Sequence, residues 1–273
     1  MGKNNSSIHL VDQMGRSLSL NQAATRIISL VPSITEQLSF LGLDDVIVGI
    51  TKFCVHPKQL HKTKPKIGGT KQVHLDRLQA LQPDLIICNK EENSKELIQE
   101  LEQSGYTLYI SDIIQMEDAL SMITDIGTLT GKEAAAQILS EKIKTSFNNI
   151  SKLRGATRPR VAYLIWNKPI MIAGNNTYIN SILHLLGFEN AFNHMERYPS
   201  VNMNQIKEAA VDLVLLSSEP FPFKAQHVEY FRHELPKSHI LLVNGEIFSW
   251  YGSYMLQIED YYKTQLVQFT YPI

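Results

Sequence analysis

The sequence holds only two cysteines in 273 residues, Cys54 and Cys88, which excludes a disulfide framework; a chain of this length can build its cores without one. No CxxC or HxxxH spacing accompanies them. Charge of one sign is equally scarce: 26 Lys+Arg stand against 27 Asp+Glu, a net charge of −1. There is no basic stripe to follow a nucleic acid or an anionic membrane surface, and no nucleic-acid partner is expected. No apolar run approaches the roughly 18 residues of a spanning helix, so no membrane insertion is expected. The first twenty residues, MGKNNSSIHLVDQMGRSLSL, lack the apolar stretch of about 7–15 residues that marks a secretory signal. They imply a cytoplasmic chain if this is the natural product and a periplasmic one if a signal was trimmed. Met1-Gly2 with Ser6 is weak ground for myristoylation. GxSxG, HExxH, P-loop and GxGxxG patterns are also missing in any convincing context, and Cys54 two residues from His56 is poor material for a nucleophile–base pair. No enzyme is expected.

What is present is a repeat. Residues 75–93, LDRLQALQPDLIICNKEEN, and 203–221, MNQIKEAAVDLVLLSSEPF, share one plan: an apolar helical stripe, an Asp, a buried strand, then a polar loop. SITEQLSFLGLDDVIVGI at 33–50 and TYINSILHLLGFENAF at 177–192 form a second pair, each a helix stopped by Leu-Gly. A period this long means two similar lobes rather than a solenoid. Strands alternating with helices predict an α/β fold with mainly parallel sheets, and a cleft between two lobes is the default ligand site.

Along the chain, VDQMGRSLSL reads as a hairpin turning at Gly15 and covering a sheet edge. RIISLV, DVIVGI, DLIICN and TLYISD follow as strands of the first lobe, and RVAYLIW, MIAG, DLVLLSS and HILLVNG as those of the second. Ser33 and Glu36 are spaced as a capping box, and Asn93 to Glu96 read as a second cap. Residues 132–153 are the longest uninterrupted helical pattern, with Ile138, Leu139, Ile143, Phe147, Ile150 and Leu153 on one apolar face. At 1.5 Å per residue such a helix spans roughly 30 Å and suits a strut. The expected division is a first lobe at 1–131, a linking helix at 132–154 and a second lobe at 155–273.

These motifs resemble a known family. RIISLVPSITEQLSFLGL, VGITKF and KIGGTKQVHLDRLQALQPDLII are similar to the helical-backbone periplasmic binding proteins of ABC importers, the cobalamin, ferric-siderophore and haem receptors. The resemblance runs from about residue 8 to 265. TKFCVHP, GGTK, NKEEN, SSEPFPF and GEIFSWYG resemble a subgroup described as helical-backbone metal receptors. The resemblance implies two lobes joined by one long helix, a cobalamin, haem or ferric-siderophore ligand rather than an intrinsic cofactor, a monomeric chain and docking to an ABC permease dimer. Importer-coupled members carry an exposed acid on each lobe. Here Lys95, with Glu96 beside it, and Lys224, with Glu229 further on, stand where those acids are expected. The second reading is therefore a cytoplasmic ligand- or metal-binding sensor on the same scaffold, uncoupled from transport.

Ligands of open α/β sheets bind outside the carboxyl ends of the strands. The loops there hold Pro32 and Ser33; Lys52, Phe53, Cys54 and His56; Asn89, Lys90 and Glu91; Trp166 and Asn167; Glu219 and Phe221; and Glu246, Phe248, Trp250 and Tyr251. Aromatic area with both signs of charge suits a large, flat molecule with polar edges. Either tryptophan is also read as a cap on its own core. Lys71 follows Gly68-Gly69, where backbone can approach a partner closely, or is simply a solvated lysine after a turn. Cys54 and His56 are candidate metal ligands, contacts to an organic ligand, or structural residues. His184, between apolar neighbours, reads as packing.

Overall fold

A computed structural model describes residues 7–271; Met1-Gly2 lies outside them. The chain forms two compact units, one built from residues up to Asp112, Glu117–Lys142 and Tyr251–Tyr254, the other from Ile113–Met116, Ile143–Trp250 and Met255 onward.

In the first unit, β1 (Ile8–Val11) and β2 (Ser17–Leu20) pair antiparallel, and the turn passes through Gly15 at φ +76°. Then β3 (Ile27–Ser29), β4 (Ile47–Ile50), β5 (Leu85–Asn89) and β6 (Leu108–Ser111) form an all-parallel sheet in the order β4-β3-β5-β6. Their residues are apolar almost without interruption because both faces are covered. The hairpin protects the open edge of β6. Asp12, almost wholly buried, accepts from the Ile110 N–H at 3.1 Å, and Gln13 accepts from the Asp112 N–H at 3.0 Å. The Asp12 carboxylate also holds the turn by accepting from the Met14 and Arg16 N–H groups and pairing with the Arg16 guanidinium at 2.7 Å.

The second unit has β7 (Arg160–Trp166), β8 (Ile170–Ile172), β9 (Glu189–Asn190), β10 (Ser200–Val201), β11 (Leu213–Ser217) and β12 (His239–Val243), in the order β10-β8-β7-β11-β12 with β9 on the start of β7. β7, β9, β11 and β12 are parallel, whereas β8 runs antiparallel to both of its neighbours, β7 and β10. The reason is local: only Asn167, Lys168 and Pro169 separate β7 from β8, and so short a link can join only antiparallel strands. Around this sheet packs a core that includes Leu164, Phe192, Ile206, Leu216 and Phe231.

The repeat has a structural meaning at the other end of the strands. The Asp84 carboxylate accepts from the Arg26 N–H at 3.0 Å, and that of Asp212 from the Arg160 N–H at 2.7 Å. Each arginine then donates its guanidinium to carbonyls just past the short helix that precedes the aspartate, Leu75–Ala80 or Met203–Glu208: Leu81 and Gln82 in one unit and Ala209 in the other. Gln82 and Ala210 sit at matching left-handed positions, φ +43° and +48°. The repeated aspartate is thus half of a clasp that fastens strand starts to a helix end.

The long helix is Glu133–Leu153, and its residues up to Lys142 count with the first unit and from Ile143 with the second. Leu139, Ile143, Phe147 and Ile150 are buried, but Ile138 is 58% exposed. It lies about 100° around the helix from Leu139 and falls outside the stripe. The cap expectations also change. The helix Pro32–Phe40 starts without a side-chain cap. Ser94, not Asn93, caps Lys95–Gln103 by accepting from the Leu97 N–H. His184 is exposed rather than packed.

Candidate functional site

In the first unit the order in which strands are added reverses between β3 and β5, all of them still parallel, and the loops at their carboxyl ends are fastened from below by two buried asparagines. Asn93 accepts from the Asn89 N–H at 2.8 Å and donates to the Thr70 carbonyl at 2.7 Å. Asn89 accepts from the Glu91 and Glu92 N–H groups and donates to Ser111. Both side chains are spent on loop shape, so Asn89 builds the surface rather than offering itself to a ligand. Ser33 is buried as well.

The accessible surface above them consists of Lys52, Phe53, Val55, Lys71 and Lys90. Phe53 is half exposed, with the Lys52 ammonium 5.0 Å from its ring centroid. Lys71 donates to the Glu91 carbonyl at 2.6 Å, and Lys90 pairs with Asp112 at 2.5 Å. Glu92 projects from the loop, yet the protein around it raises its carboxyl above the ordinary range against the pull of Lys71. Pro32, Glu91 and His56 are half-buried beside this surface.

Cys54 is not on that surface. Its thiol is fully buried, 3.1 Å from the Thr35 hydroxyl and 3.2 Å from that of Thr51. Burial raises its pKa, so the thiolate needed for metal ligation is disfavoured. Among the described residues no three His, Cys, Asp or Glu side chains are grouped to hold a metal. Both observations weigh against the metal reading of Cys54 and His56. Cys88 is equally buried, and burial likewise raises its thiol. Neither thiol is expected to react with Ellman's reagent in the native protein, and both should react in denaturant; rapid native labelling of Cys54 would contradict this placement.

The second unit offers an aromatic shelf. Trp166, at the end of β7, is 38% exposed, and its indole N–H donates to the Lys168 carbonyl at 3.2 Å. Its ring meets Phe221 edge-on at 5.6 Å, and Phe221 rests on Phe223 at 4.8 Å and His227 at 5.3 Å. Trp166 is therefore held in one orientation from beneath while a face stays open. Half-buried Asn167 and Glu219 flank it. Glu219 accepts from the Ser249 hydroxyl at 2.8 Å. Gly245 must be glycine, since a Cβ there would lie 2.4 Å from the Ser217 hydroxyl and 2.6 Å from Glu219. Its N–H donates to Ser218 at 2.9 Å. Glu246 is half-buried at the start of the helix Gly245–Ser249, its N–H capped by Asn244.

Two expected contact residues belong to the core instead. Phe248 is fully buried, 4.9 Å from the Tyr163 ring and 6.3 Å from that of Tyr261. Trp250 is also buried. Tyr251 lies within the first unit, where its hydroxyl shares hydrogen bonds with Ser33 and Ser111. Burial, with Glu92 adding to it, keeps the phenol neutral. Val55, Ser111 and Lys168 were not singled out in the sequence. Val55 and Ser111 share loops or strand ends with named candidates, and Lys168 contributes only its carbonyl.

Two α/β units with polar and aromatic loops at their strand ends define a ligand-binding protein. A periplasmic binding protein family model matches residues 27–233, and the chain belongs to that family. The vitamin B12-binding protein of Vibrio parahaemolyticus is 25% identical over 237 residues, 83% of each chain. The periplasmic heme-binding protein of Vibrio cholerae superposes with a TM-score of 0.77 at 23% identity, covering 89% of this chain and 98% of its own. A possible iron-binding periplasmic protein of Staphylococcus epidermidis gives 0.74 at 24% identity, covering 88% and 98%.

Proposed function

We propose that this chain is a substrate-binding protein for a corrinoid, haem or ferric-siderophore type of ligand, working outside the cytoplasmic membrane and delivering its cargo to an ABC importer. The ligand is cargo rather than a resident cofactor, and the chain's role is binding, not catalysis. The observation that carries this reading is the Trp166 shelf: a large ring, half open, braced from below by Phe221 and bordered by polar groups. A rigid aromatic face gives contact area to a flat macrocycle at little entropic cost. Lys52 and Phe53 offer comparable chemistry on the first unit. The family and the named relatives support the same ligand class.

A second reading, binding without transport, has one observation in its favour. Exposed Lys95 and Lys224 stand at the starts of the helices Lys95–Gln103 and Ala225–Glu234, where acids are expected for permease docking.

The test is a tryptophan-fluorescence titration with cobalamin, hemin and a panel of ferric siderophores, corrected for inner-filter absorption. Saturable quenching by one of them with Kd below about 1 μM is expected, roughly −8 kcal/mol. A response to free Zn²⁺ or Fe³⁺ alone, or to nothing, would overturn the ligand class.

A further inference from the structure

Four consecutive residues leave the unit of their neighbours. Trp250 and Met255 belong to the second unit, but Tyr251, Gly252, Ser253 and Tyr254 pack into the first. There they lie against the helix Pro32–Phe40, which leads out of β3. Tyr251 bonds to Ser33 of that helix and to Ser111 at the end of β6. Gly252 presses its backbone on Gln37, and Ser253 donates to Glu36. The β3/β5 reversal is where an open α/β sheet takes its ligand, and in this chain the four residues sit beside it, with Tyr251 between the ends of β3 and β6.

The fit is close, and it carries one standing cost. Gly252 has φ +86°, and a Cβ would come within 2.3 Å of Gln37 Oε1. Gln37 is fully buried, and neither its Nε2 nor its Oε1 has a hydrogen-bond partner. An amide removed from water with both atoms unmet is a standing penalty on this arrangement. A group bearing one donor and one acceptor would satisfy it.

We propose that Tyr251–Tyr254 is a strap, a built-in occupant of the first unit's ligand crevice, and that the ligand displaces it with an uncharged hydrogen-bonding edge such as a carboxamide. This rests on the reading of the chain as a ligand-binding protein and narrows it. The charge around the strap points the same way. Glu36 accepts from Ser253, and Glu91 and Glu92 both act on the Tyr251 phenol. Lys71 acts on Glu92 and Lys90 is paired with Asp112. A carboxylate edge would meet repulsion there, whereas a carboxamide would meet the Gln37 amide donor to acceptor.

The experiment combines hydrogen exchange with calorimetry on the wild type, Tyr251→Phe and Gly252→Ala. Tyr251→Phe keeps the ring and removes the two hydroxyl bonds, so it serves even if the glycine variant folds poorly. In ligand-free wild type, amides 251–254 should exchange at least about tenfold faster than those of β5. Cobalamin, which presents carboxamides, should speed their exchange further and slow that of Ser33–Gln37. Both variants should tighten cobalamin binding, by up to about tenfold if the strapped state dominates, and leave hemin, which presents carboxylates, unchanged. Protection of 251–254 on cobalamin binding, weaker binding by both variants, or tightening toward hemin instead would overturn the proposal. If no ligand of the panel binds any of the three proteins, the functional reading fails by itself. Exchange then decides the strap: amides 251–254 as slow as those of β5 would overturn it.

Discussion

Phe248→Ala is expected to cost about 3–5 kcal/mol of folding stability, the usual range for emptying a buried aromatic site. Phe248 is fully buried and lies against Tyr163 and Tyr261. Removing its ring would leave a void beneath the Ser217–Glu219 loop, because Tyr163 donates to Ser217 at 3.1 Å. Chemical denaturation read by circular dichroism gives the number directly. A variant as stable as the wild type, with only its ligand affinity reduced, would return Phe248 to the binding surface.

Trp166→Ala should do the reverse. The ring is 38% exposed, so little core packing is lost. Stability should change by less than about 1 kcal/mol, while affinity for the cargo should fall by about 1–3 kcal/mol, roughly five- to 150-fold. Phe221→Ala should weaken binding to a smaller extent, because Phe221 acts by bracing the indole at 5.6 Å. Calorimetric titration of both variants alongside their melting curves separates the two effects. Unchanged affinity in Trp166→Ala would remove the shelf from the site and take the main support from the proposed function.

Much of the scaffold was legible because the repeat is written in hydrophobic period and in glycine stops. Gly42, Gly105 and Gly187 do follow helix ends with positive φ, and the apolar runs at 85–88 and 213–216 lie in strands whose pairings are parallel. The site was less legible for a physical reason. Position at a strand end tells that a side chain is near the crevice but not whether it points inward or out. Phe53 and Cys54 are adjacent, yet one is half exposed and the other fully buried. In GEIFSWYG the helical turn Gly245–Ser249 rolls Phe248 into the core. The antiparallel β8 was hidden because Asn167-Lys168-Pro169 lacks the Asn-Gly or Asp-Gly signal of a tight hairpin. The return of Tyr251–Tyr254 to the first unit has no local signature, since it depends on Ser33, Glu36 and Gln37, more than two hundred residues earlier in the chain.

The paired clasps of Arg26 with Asp84 and Arg160 with Asp212 have a consequence for how such a chain can change. Each fixes strand alignment by side chain-to-backbone bonds at the amino ends of the strands, the edge remote from every candidate ligand contact. A slip of one residue would turn each strand's inward set outward, and the clasp blocks that slip without any help from the carboxyl-end loops. Those loops are thereby relieved of holding the sheet in alignment. They can exchange a lysine for an acid, or an aromatic for an amide, and alter what is bound while the frame beneath stays in place. On that account, relatives of low identity that share this frame are expected to differ most where Lys52, Lys71 and Trp166 stand here.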